Sequence, residues 1–223
     1  PFVFGSSGFL YRSNKLMFDR QTDSLWNQFT GQPVSGKLAA SGIKLKIRPM
    51  TITSWENWIS AHPDTKVLSL ETGFKRDYGS GVVYQDYFSS PDLMFPTMVR
   101  DESRVKRKDF VFGVRELETA RAWPVDVFKE RRVLNDRFNG RAIVLIGDAA
   151  TRTVVAYERG EAEFTSGIST SSLSDGTAEW SISEEALTGP DGAKLARIPG
   201  HVAYWFAWDG YLGERSTLYP AKP

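Results

Sequence analysis

Cysteine is absent from this chain of 223 residues, which removes disulfides, thiolate metal sites and thiol nucleophiles together. Long apolar runs are missing too. The longest, such as residues 142–146 and 202–207, fall far short of the ~20 residues a membrane-spanning helix requires, so no transmembrane segment is expected. Net charge is close to nil, with 28 Lys plus Arg against 27 Asp plus Glu, so no overall field would hold a polyanion and nucleic acid is not an expected partner. Histidine is scarce: His62 and His201 are the whole supply. No Gly-x-Ser-x-Gly elbow, P-loop or dinucleotide fingerprint is present, and the Ser-Gly pairs read as bends or close backbone approaches. Pro1 opens the chain with no charged leader or apolar signal core before Phe2, which reads as a processed or truncated product.

Apolar and aromatic residues are plentiful. A chain that is 41% hydrophobic and 13% aromatic can bury a sizeable core. An internal repeat organises it. Ser7-Gly8, Trp26, Thr30-Gly31, Lys37-Leu38-Ala39 and the pair Trp55 and Trp58 recur in order as Ser166-Gly167, Trp180, Thr188-Gly189, Lys194-Leu195-Ala196 and the pair Trp205 and Trp208. Residues 110–157 form a front part of the second copy that the first copy lacks.

Two polar turns suggest hairpins. Residues 16–18 and 24–29 flank Asp19-Arg20-Gln21-Thr22-Asp23, and residues 142–146 and 153–157 flank the loop 147–152. The Thr53-x-x-Glu56 spacing predicts a capping box on a helix bearing Trp55 and Trp58, and residues 201–212 predict the matching helix. Pro124 suits the first turn of a third helix over residues 125–131. The expected fold is therefore mainly β with short helices, a β-rich α+β protein in two pseudosymmetric repeats of antiparallel sheet, each with a Trp-bearing helix. The first repeat occupies residues 1–70 and is truncated at its N-terminus; residues 71–109 are a Tyr-rich loop and a charged, solvated connector; residues 110–223 are the second, complete repeat. Tryptophans at matching places are expected in the core, whereas exposed ones would point to carbohydrate or aromatic-ligand stacking.

Several blocks resemble the bacterial and archaeal domain of unknown function 3179 family. They are Phe4-Gly5-Ser6-Ser7-Gly8-Phe9-Leu10-Tyr11-Arg12-Ser13, Met17-Phe18-Asp19-Arg20-Gln21-Thr22, Ser24-Leu25-Trp26, His62-Pro63-Asp64-Thr65, Thr72-Gly73-Phe74, Asp77-Tyr78-Gly79, Trp123-Pro124, Val133-Leu134-Asn135-Asp136 and Trp205-Phe206-Ala207-Trp208. The resemblance implies an extracytoplasmic or membrane-anchored protein whose longer forms carry a Cys-Pro-Leu-Cys-Gly motif upstream of the region matching Pro1. In the second repeat the corresponding loop places Asp148 and Thr151 where the two cysteines would sit, and neither can form a dithiol.

Candidate sites rest on residue chemistry. Asp19 and Asp23 flank one small turn, so a divalent metal is the cofactor their oxygens could take, with His62 and Asp148 as further ligand types. Against this stand a turn in which Asp side chains bond their own backbone while Arg20 pairs with a carboxylate, and a His62 that merely ends its helix. Tyr11, Arg12, Asp19, Arg20, Asp23, Asp77 and Tyr78 form the expected ligand- or partner-binding surface. Two functions compete: a non-catalytic binding or interaction protein, with a small ligand or protein partner, or the scaffold of a metal-dependent or redox enzyme whose reactive segment lies elsewhere. An upstream segment or a second subunit would cover the edge of the truncated repeat.

Overall fold

Apolar runs separated by a polar turn close into an antiparallel hairpin when the turn can satisfy its own backbone, and this chain begins that way. A computed structural model describes residues 1–79, 81, 83–116 and 119–220. Strands β1 (Phe4–Tyr11), β2 (Asn14–Asp19), β3 (Leu25–Asn27) and β4 (Pro33–Ser35) form a four-stranded antiparallel meander in sequence order. Arg12 and Ser13, with φ of 48° and 64°, make the two-residue β1–β2 turn. Positive φ at both positions matches the twist of the flanking strands, though neither residue favours it. Outside contacts hold the turn: Arg12 Nη1 donates to the Tyr211 carbonyl at 3.1 Å, and Asn14 Nδ2 donates to the carbonyls of Arg12 and Ala207.

The next stretch is sparse in regular structure. It carries helices α1 (Trp55–Ala61) and α2 (Gln85–Ser89), neither with a buried residue. Ser54, not Thr53, caps α1, its hydroxyl accepting from the Asn57 N–H at 3.2 Å. Part of the Tyr-rich stretch, at positions 80 and 82, lies outside the described residues. The charged connector is mostly exposed but is anchored at points along its length. Arg100 forms an ion pair with the buried Asp209 at 2.6 Å, Arg107 pairs with Glu102, and Val105 is buried.

The remainder is a larger β structure. Strands β5 (Phe110–Arg115) and β6 (Ala120–Pro124) lead into a 3-10 turn (Val125–Lys129), shorter than the helix expected at 125–131. Strands β7 (Val133–Phe138), β8 (Arg141–Asp148) and β9 (Thr153–Glu158) follow as an antiparallel set, with Asn139 and Gly140 at positive φ in the β7–β8 turn. Central β8 is covered on both faces, so residues 143–147 are buried without alternation. Strands β10 (Thr165–Ser166), β11 (Ser172–Ser174), β12 (Glu179–Ile182), β13 (Ala186–Thr188) and β14 (Lys194–Ile198) form a second meander. β14 joins it to β9, giving an eight-stranded sheet in the order β10-β11-β12-β13-β14-β9-β8-β7.

Strand β15 (Gly200–Tyr204) pairs with β5, helix α3 (Trp205–Leu212) follows, and β16 (Ser216–Leu218) lies parallel to β6. The expected helix over 201–212 is therefore a strand and then a helix. His201 sits in β15, where burial first and the neighbouring Arg115 guanidinium second push its pKa down to about 3. The protein is mainly β with short helices and antiparallel sheets, as the strand and turn patterns predict.

One core lies under β5–β9 and includes Phe112, Trp123, Ile143 and Leu145. A second unites α3 with Phe29 of the first meander, through Trp205, Trp208 and Tyr211. A third lies between β8, β9 and the second meander, around Tyr157, Phe164, Leu173 and Leu187. The expectation that matching tryptophans are all core residues fails in part. Trp26, Trp205 and Trp208 are buried and Trp180 half-buried, but Trp55 and Trp58 are 55% and 37% exposed on α1, a helix that carries no buried residue.

Candidate binding cleft

Helix α1 stands over a cavity of about 1070 Å³ whose floor is β8, β9 and β14; the cavity beneath Arg12 holds about 620 Å³. Phe128 packs directly on the floor strand at Gly147, where a Cβ would come within 2.2 Å of its ring. Just beyond it, Asp148 accepts from the Ala150 N–H at 2.9 Å and from the Thr151 hydroxyl at 2.7 Å. The Thr151 and Thr153 hydroxyls lie 2.8 Å apart, and Thr153 reaches Thr53 at 2.9 Å. Thr53, displaced from the capping role expected of it, thus extends a chain of hydroxyls from Asp148 toward α1.

The side walls carry fixed charge. Arg197 on β14 donates through Nη1 to the Glu184 carbonyl at 3.0 Å, and through Nη2 to the Met50 carbonyl and the Thr51 hydroxyl at 3.2 and 2.5 Å. Arg132 donates to the carbonyls of Ser172 and Thr170, and burial lowers its pKa. Both guanidiniums are held in place by neutral oxygens, which orient a cation without cancelling its charge. Tyr157 donates to the Ser183 carbonyl at 2.6 Å, and burial pushes its phenol pKa up. On the α1 side, His62 Nε2 sits 3.0 Å from Glu184 Oε1, and its ring packs on Trp58 with centroids 4.1 Å apart and planes 33° apart. Trp58 Nε1 donates to Thr65 Oγ1 at 2.9 Å.

The structure divides the residues expected on the binding surface. Tyr11 and Arg12 meet Tyr211, the rings of the two tyrosines lying 6.0 Å apart. Asp19 is fully buried and not a surface group. Its carboxylate accepts from the N–H groups of Gln21 and Thr22, the Thr22 hydroxyl and Trp26 Nε1, at 2.6–3.1 Å. Burial alone would raise its pKa, but these hydrogen bonds outweigh burial and hold it below the ordinary value. Arg20 is exposed above the Phe18 ring. Asp23 is exposed and takes a left-handed φ of 55° in the same turn. Asp77 accepts from the Gly79 N–H and Tyr78 bonds Thr72, each within its own loop.

The metal expectation fares similarly. Among the described residues no group of three or more His, Cys, Asp or Glu is placed to hold a metal ion. Asp19 has spent its oxygens on local donors, so its turn is the backbone-bonding kind, although among the described residues Arg20 pairs with no carboxylate. His62 and Asp148 do share the cleft, as separate parts of its wall. Residues that no local spacing reveals, Arg132, Glu184 and Arg197, complete it.

Fold and cleft define a mainly β protein with an open cavity that charged and hydroxyl side chains help to line and, among the described residues, no helix long and apolar enough to cross a membrane. A sequence model of the family described as "Protein of unknown function (DUF3179)" matches residues 1–215, and the chain belongs to that family. No curated protein and no solved structure matches it.

Proposed function

We propose that this chain is an extracytoplasmic binding protein, built from two copies of one unit, whose small polar ligand occupies the cleft beneath α1. The observation that carries the reading is the convergence of fixed donors and acceptors from distant segments on one open cavity: Arg132, Arg197, the His62–Glu184 pair and the Asp148 hydroxyl chain. Such a convergence in a concave site is what orients a ligand. The two-copy reading draws support from the meanders. In the first, Asp19 accepts from Trp26 Nε1 and from Thr22; in the second, Asp175 accepts from Trp180 Nε1 and from Thr177. The extracytoplasmic assignment rests on the family resemblance.

A second reading, the scaffold of a redox or metal-dependent enzyme, draws on the loop from Asp148 to Thr151. This loop, aligned with the family's dithiol segment, lines the same cleft. It supplies no redox group of its own.

Titration calorimetry of the full chain with cellotetraose, citrate and inorganic phosphate tests the binding reading. At least one probe is expected to bind, and Arg197→Ala should weaken it about tenfold, the scale of one lost hydrogen-bonding charge. Binding by none of them, or binding indifferent to Arg197→Ala, would sink the proposal.

A further inference from the structure

An indole left in water forgoes the burial that makes it the largest contributor to most cores. Helix α1 leaves two of them exposed and buries nothing, yet Trp58 is held firmly. Its Nε1 is tied to Thr65 Oγ1 at 2.9 Å, its ring rests against His62 at 4.1 Å, and it remains 37% exposed at the wall of the cleft. A ring fixed in orientation and open to solvent is a preorganised platform, because the entropy of ordering it is spent before any ligand arrives. Trp55, three residues earlier, lies on the same side of the helix and is 55% exposed.

The rest of the lining constrains what would sit on that platform. Four basic side chains of the wall face three acidic ones, so the cavity has no strong field of one sign. Its polar groups are of every kind: carboxylates at Glu184 and Asp148 accept, guanidiniums at Arg197 and Arg132 donate, and the threonine hydroxyls do either. A ligand dense in hydroxyls, each both donor and acceptor, suits such a mixed wall, whereas an anion would be repelled by the carboxylates of Glu184 and Asp148. The cavity, about 1070 Å³, exceeds the roughly 300–1,000 Å³ usual for a single small molecule, which leaves room for more than one ring.

We propose that the ligand of the cleft is a neutral oligosaccharide, one sugar face stacked on Trp58 and its hydroxyls bonded to Glu184, Arg197 and the Asp148 hydroxyl chain. The inference rests on the binding reading above and narrows it to a ligand class. Apolar C–H groups on one face of a pyranose ring meet the indole, and the equatorial hydroxyls point outward to the polar wall.

The test uses the full chain with cellotetraose, maltotetraose and chitotetraose, and citrate as a charged competitor class, read by titration calorimetry and by saturation-transfer NMR. One of the three sugars is expected to bind. Trp58→Ala should weaken that binding about tenfold, the scale of one lost stacking ring, while Trp58→Phe should retain most of it. The urea midpoint of both variants is read alongside: Trp58→Phe keeps a ring against His62 and should stay near the wild-type value, and a loss of sugar binding larger than any shift in midpoint separates lost stacking from lost folding. Citrate binding that depends on Arg197, with no sugar bound, would overturn the carbohydrate class and leave the binding cleft standing. Sugar binding indifferent to Trp58→Ala would overturn the stacking site. No binding by any of these probes would overturn the carbohydrate class, and the further absence of phosphate binding would overturn the binding cleft as well.

Discussion

Helices α1 and α3 carry the same pair of tryptophans three residues apart, yet one helix exposes both and the other buries both. In α3, Trp208 lies against Gly113 of β5, where a Cβ would come within 2.0 Å of its ring, and Trp208 Nε1 donates to Ser216 Oγ at 2.7 Å. Trp205 Nε1 donates to the Asp101 carbonyl at 2.8 Å, and Asp209 is clamped by the Arg100 side chain and its N–H. Behind α3 stand β5, β6 and β15. Behind α1 stands the open cleft. The spacing of tryptophans on a helix therefore says only that they share a face; the surface opposite that face decides whether they become core or stay exposed.

The meanders repeat the contrast more mildly. Asp19 and Trp26 are both buried, whereas Asp175 and Trp180 are half-buried with the same hydrogen bond between them. Phe2 and Phe4 close over Trp26 with ring centroids 5.0 and 5.6 Å away. Trp180 has Phe164 at 5.5 Å as its ring neighbour.

The sharpest test of the helix contrast is truncation. Trp208→Ala should cost about 3–5 kcal/mol in urea denaturation, as large aromatic deletions from cores do. Trp55→Ala should stay within about 0.5 kcal/mol. Similar losses at the two positions would mean that α1 has a packed face after all. A smaller effect is expected from filling the space that Trp208 uses: Gly113→Ala should destabilise by about 1–3 kcal/mol through overpacking. Adding Trp208→Phe to that background should recover part of the loss, and simple additivity of the two changes would separate Gly113 from the ring.

The smallest effect concerns the two Asp–indole turns under acid. Both carboxyls sit below the ordinary value, Asp175 chiefly through its bonds from Thr177 and Asp19 through those that outweigh its burial. A depressed folded pKa gives stability that is present above the unfolded value, about 3.9, and is lost as pH falls through the folded value. The melting-temperature gap between wild type and Asp19→Asn should therefore be open at pH 7 and narrow as pH falls below about 4. Asp175→Asn should behave likewise with a narrower gap at pH 7, because water can reach Trp180. A gap at Asp19 that ignores pH would show that its charge has no part in the turn.

Much of the fold could be read locally. The turn from Asp19 to Asp23 has apolar residues on either side and a carboxylate able to bond its own backbone, which is enough to make a hairpin. The β8–β9 pair follows the same logic. For β7–β8 the signal is stronger still, since Asn139-Gly140 is the favoured dipeptide for a two-residue turn with positive φ. The strand at 200–204 was not legible as such. Gly200 and the alternation through Val202 suit either element, and pairing with β5 settles the matter. Of the candidate site, His62 and Asp148 could be chosen for their chemistry, but their common cleft could not, because its walls are drawn from residues 51 to 197.

The sequence by itself determined the strand-and-turn grammar, the family and the lack of cysteine in these 223 residues, since these depend on residue types and on neighbours within a few positions. The tertiary structure alone decided that Trp208 is core and Trp58 is wall, that Asp19 is an internal brace, and that Arg132, Glu184 and Arg197 share a cavity. Burial and convergence are properties of surfaces brought together across the chain, and no local period encodes which surface arrives.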